Sequence, residues 1–151
     1  MGVFILFKKT LAIVCVLFLI FSTGCAREIY INADSINRLV QTVEGNSVIK
    51  DCKVSFIEPD LDVDISLNED IDKVSAEAIL SDVQGCITIE AMDEIADKYA
   101  MTNKHILKVH ILLRDKVGAA CYAYELSYFK NFKIEGTESD IDGYKSWRNA
   151  R

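Results

Sequence analysis

The chain has 151 residues, 50% of them hydrophobic, and its 17 basic side chains against 23 acidic ones give a net charge of −6. That length suits one compact domain rather than two. The acidic balance, with no basic stripe carrying interleaved aromatics, excludes nucleic acid as an expected partner.

The N-terminus has the layout of a secretory signal. Lys8 and Lys9 precede an apolar run from Leu11 to Phe21, small residues follow, and no acidic residue occurs before Glu28. The stretch from Thr10 to Ala26 lies at the bottom of the range for a spanning helix. Ser22-Thr23-Gly24-Cys25 then resembles the lipobox of bacterial lipoprotein signals, with Ser22 standing where that family usually has Leu. The resemblance implies a signal peptide over residues 1–24 and a Cys25 that carries a diacylglyceryl group as the new N-terminus. Two acyl chains hold a protein at a membrane far better than one. An uncleaved signal anchor and an ordinary secretory signal are the alternatives. Cys15, inside the apolar run, reads as a small hydrophobe. Cleavage removes two of the basic residues and no acidic one, so the tethered domain is expected to stand off from an anionic surface rather than lie flat on it.

Residues 25–33 read as an anchor and linker with a short strand near Glu28–Ile31. Asn32 or Asp34 is placed to cap a helix over 34–44. Its stripe is Ile36, Leu39, Val40 and Val43, and Gly45 fits a left-handed stop. From Cys52 onward the pattern is strand. Val54 and Phe56 alternate with polar residues, and so do Leu61, Val63, Ile65 and Leu67 in the opposite parity. A bulge or turn at Ile57–Asp60 restores one apolar face, and Pro59 suits such a turn. Residues 72–84 fit a strand through Val74, Ala76, Ala78 and Leu80, or a helix through Ala76, Ile79, Leu80 and Val83. The strand is preferred because "NEDID" offers a hairpin connection to the preceding strand. Thr88 caps a helix whose stripe runs Ile89, Met92, Ile95, Ala96 and Tyr99. "KHILKVHILL" and "CYAYELSYF" form a hairpin around "RDKVGAA". Pairing Leu113 with Ala120, Ile111 with Tyr122 and Val109 with Tyr124 gives one apolar face. It sets Lys108 opposite Glu125 on the other. "NFKIEG" adds a short strand, and residues 137–151 read as a polar tail.

The fold expected is α+β, an antiparallel sheet of four to five strands with two helices packed on one face, in a single domain over residues 34–136. Few residues stand out as chemistry. Asp60, Asp62 and Asp64, with Glu69, Asp70 and Asp72, invite a calcium reading. The EF-hand template fails at Ile65 and Ile71, so a solvated strand face with carboxylates about 7 Å apart is preferred. His105 and His110, five residues apart on an expected strand, point to opposite faces and cannot share a site. Cys52, Cys86 and Cys121 show no metal-ligand spacing and are expected to be unpaired, mostly buried packing residues. No catalytic, cofactor or metal residue is assigned; the one modification residue is Cys25.

Residues 88–135, including "ILKVHILLRDKVGAACYAYELSYFKNFKIEG", resemble the C-terminal part of small bacterial and phage lipoproteins. Those often have Pro-Gly where Asp115-Lys116 stands and Trp where Tyr122 stands. That family carries over no activity. The functional expectation is a non-catalytic binding or accessory module on the extracytoplasmic face of a bacterial membrane. Its partners would be the membrane through its lipid anchor, and an envelope protein. The rivals are a solute-binding domain with an apolar, tyrosine-lined pocket and a hydrolase or metal-dependent enzyme.

Overall fold

The structure, a computed structural model, describes residues 29–150. It is α+β, a six-stranded, mostly antiparallel mixed sheet with three helices. The elements are β1 (Ile29–Tyr30), α1 (Asp34–Glu44), β2 (Ile49–Ile57), β3 (Asp60–Leu67), α2 (Lys73–Cys86), α3 (Ile89–Tyr99), β4 (Lys108–Arg114), β5 (Ala120–Ser127) and β6 (Trp147–Asn149). The strands lie side by side in chain order, and only β3 and β4 run parallel.

The phase slip in the first long hairpin resolves as a turn. Ile57 pairs with Asp60 around Glu58–Pro59, whose peptide bond is cis. Val54, Phe56, Leu61, Val63, Ile65 and Leu67 thereby share one buried face. Each such apolar side chain taken from water contributes about 1.5–3 kcal/mol.

The segment expected as a strand over 72–84 is the helix α2. Asp72 caps it by accepting a bond from the Ser75 amide at 2.8 Å. Ala76, Ile79, Leu80 and Val83 form its buried stripe, while Val74 is left exposed. The physical reason is topological. A parallel β3–β4 pair needs a long crossover, so the chain cannot turn back as a hairpin at "NEDID". The expected two helices are therefore three, and the all-antiparallel sheet is mixed.

The sheet also gains a strand from the segment expected to be a polar tail. Trp147–Asn149 pairs with Tyr124–Leu126. Tyr144 is buried, donates its hydroxyl to the Ile106 carbonyl, and is held by Gln84 through its own carbonyl. "NFKIEG" is not a strand: Lys130–Phe132 is a 3-10 turn and Ile134 is exposed, because β6 takes the place beside β5.

The last hairpin keeps its expected faces but not its register. Val109 lies opposite Leu126, Ile111 opposite Tyr124 and Leu113 opposite Tyr122. Asp115 accepts bonds from the Val117 and Ala119 amides, and Gly118 takes φ +86, so the loop closes with Arg114 opposite Ala120. That is one residue from the expected pairing. The bulge that follows adds a second residue. Two single steps cancel in parity, which is why the apolar face survives. Gly45 ends α1 at φ −63, not in the left-handed region, and no side chain caps Ala33 at the start of that helix.

Candidate functional site

The helices' buried stripes and the apolar strand face share one core, and the opposite face of the sheet carries the polar residues. One cross-strand row on that open face spans all six strands: Tyr30, Ser55, Asp62, His110, Glu125 and Arg148. Strand alternation puts each of these side chains on the same side. The neighbouring row runs Lys53, Asp64, Leu112 and Ala123, with Ser66 and Arg114 one row further. Between them lies a concavity of about 510 Å³ lined by Tyr30, Lys53, Asp62, Asp64, His110 and Arg114, among others.

Charge is arranged in columns here. β3 supplies Asp60, Asp62 and Asp64, and β4 supplies Lys108, His110 and Arg114. Arg114 Nε donates to both Asp64 oxygens, at 2.9 and 2.8 Å. His110 lies between two acids, with Nε2 3.3 Å from Asp60 and Nδ1 3.6 Å from Glu125. Its pKa is raised, chiefly by the hydrogen bond to Asp60 and further by the charges of Asp60, Asp62 and Glu125, against the opposing effect of burial. Glu125 is only 6% exposed yet carries three cationic neighbours: Arg148 at 2.8 Å, Lys108 at 3.3 Å and His110. A carboxylate this deep is tolerable because it is paired. Two polar atoms on this face, Asp60 Oδ1 and Ser127 Oγ, are buried without a hydrogen-bond partner among the described residues.

Comparison with protein families, curated proteins and solved structures finds no match to this chain.

The structure brings some of the singled-out residues together and separates others. Asp60, Asp62 and Asp64 do form a strand face, and two of them are engaged by His110 and Arg114. Among the described residues no group of three or more His, Cys, Asp or Glu is arranged to hold a metal ion. His105 is not on a strand; it precedes β4, bonds Asp93 at 2.8 Å and stacks on Tyr128 at 4.4 Å, and it shares no partner with His110 among these contacts. Cys52, Cys86 and Cys121 are all free thiols. Cys52 is buried and its pKa is pushed up to about 12, first by desolvation and then by Glu44. Cys121 departs from the expected burial. It falls in the β5 bulge, is exposed, and donates to the Leu113 carbonyl at 3.2 Å. Cys25 lies outside the described residues. No helix among the described residues is long and apolar enough to cross a membrane.

Sequence reasoning missed Arg114 and Arg148. The contact of Lys108 with Glu125 was legible and persists diagonally, since Lys108 itself pairs with Ser127. Arg148 had no signal, because nothing local shows that its segment returns to the sheet.

Proposed function

We propose that this chain is a non-catalytic binding module, tethered through a lipidated Cys25 to the extracytoplasmic face of a bacterial membrane, that holds an envelope protein on its open sheet face. The observation that carries the reading is the polar row from Tyr30 to Arg148, which crosses every strand of a face that the described helices leave uncovered. A partner surface with its own charges complements columns of alternating sign, and charge pairing of this kind supplies specificity and orientation. The concavity supports a second reading, a polar solute site, because its volume falls within the range of small-molecule pockets. Tyr30 lines it, but so do the charged side chains of Lys53, Asp62, Asp64, His110 and Arg114, which suits a polar solute better than an apolar one.

Two experiments test this. A fatty-acid analogue supplied to cells should label the wild type and miss Cys25→Ser; equal labelling of both rejects the anchor. A photo-crosslinking residue at Leu112, on the open face, should yield a discrete protein adduct in intact membranes, and Arg114→Glu should abolish it. The same probe at Glu77, on α2, serves as the control. Identical adducts from both positions, or none from Leu112, reject the open face as the protein-binding surface.

A further inference from the structure

Resting on the Cys25 tether, we propose that the sheet end built by the Glu58–Pro59 turn and the loop 100–107 is a membrane-contact surface, with Met101 seated in the lipid headgroup layer and the open sheet face standing upright from the bilayer. Only three residues lie between Cys25 and Ile29, so the four steps reach at most about 14 Å. Ile29 lies in the row that continues through Phe56, Leu61, Val109 and Leu126. That row is close to the end of the sheet where β2 turns into β3.

The loop 100–107 is fastened to that end. Glu58 accepts bonds from the Met101, Thr102 and Asn103 amides at 2.8–3.1 Å, and the Leu107 amide donates to the Pro59 carbonyl at 2.9 Å. Fixed there, Met101 is 92% exposed, and Lys104 is exposed in the same loop. An exposed flexible apolar side chain in the same loop as an exposed lysine suits the boundary between acyl chains and phosphates. The opposite end of the sheet also shows an apolar side chain, Val117 at 79% exposure. It cannot compete. From the Leu126 row to Ala120 the strand runs about 20 Å, beyond the length of the tether. Lying on the helix layer is disfavoured too, since α3 presents exposed Glu90, Glu94 and Asp97 to an anionic surface.

The test uses the full chain, lipidated in a bacterial host and reconstituted into mixed phosphatidylcholine and phosphatidylglycerol vesicles whose acyl chains carry bromine near the headgroup. Trp147 is the only tryptophan, so Trp147→Phe gives a dark background for Met101→Trp and, separately, Val117→Trp. Both replaced side chains are solvent-exposed, so neither change disturbs the core. The expected result is several-fold quenching with a blue shift at position 101 and neither at 117. If the protein floats with the vesicles but 117 is quenched as strongly as 101, or neither is quenched, the contact surface is wrong and the anchor stands. If the wild type does not float, the anchor fails and this inference falls with it.

Discussion

Replacing Glu125 by Gln tests whether charge holds the open face together. The substitution keeps the shape and removes the negative charge that Arg148, Lys108 and His110 share. Removing one partner of a fully buried pair costs about 3–5 kcal/mol, whereas an exposed pair contributes at most about 1 kcal/mol. Here the anion is buried, but the side chains of Lys108, His110 and Arg148 keep 21%, 37% and 50% of their surface in water. Water takes up part of the loss, so the expected cost is about 2 kcal/mol, or about 6–10 °C in melting temperature. Urea unfolding at pH 6 and pH 8 adds a second reading. The folded-state pKa of His110 is raised above its ordinary 6.5, so its contribution is fully present below 6.5 and lost as pH rises through the higher folded value. Wild type should therefore lose stability from pH 6 to pH 8. Glu125→Gln should cost more at pH 6, where charged His110 has also lost a counter-ion. A cost below about 0.5 kcal/mol, or the same cost at both pH values, would refute the reasoning.

Tyr144→Phe should destabilise by about 1–3 kcal/mol, read by thermal melting, because it strands the buried Ile106 carbonyl; a neutral result would mean that the C-terminal segment is not anchored there. In native protein a thiol reagent should modify Cys121 first and Cys52 last, and all three thiols should react on denaturation without reductant, as mass spectrometry would show. Glu58 has its pKa lowered to about 2, first by the Thr102 hydroxyl and then by the Met101, Thr102 and Asn103 amides. Its contribution is fully present above 4.5 and is lost as pH falls from there through the folded value of about 2. Glu58→Gln should thus flatten the acid arm of the stability profile and speed amide exchange at Met101–Asn103; an unchanged acid arm would dismiss the clamp.

What the sequence determined by itself was local and periodic. The stripes of α1 and α3, the turn at Glu58–Pro59, and the alternation that sorts β2, β3, β4 and β5 into an apolar and a polar face all follow from side-chain spacing. The tertiary structure decided the rest. Residues 73–86 fit two periods at once, and the parallel β3–β4 crossover made them a helix. The β4–β5 register was misread by two residues because a tighter loop and a bulge each added one step, a change that leaves the faces intact and so leaves no trace in the alternation. The three residues of β6 are too short to announce a strand, and they become one only where β5 offers an edge and Tyr144 a buried anchor. Alternation marks the polar face and the Lys108–Glu125 contact, but the assembly of the candidate row falls in this second category. Asp62, His110, Glu125 and Arg148 come from four strands, and only the strand order and register, with β4 beside β3 and β6 beside β5, put them in one row.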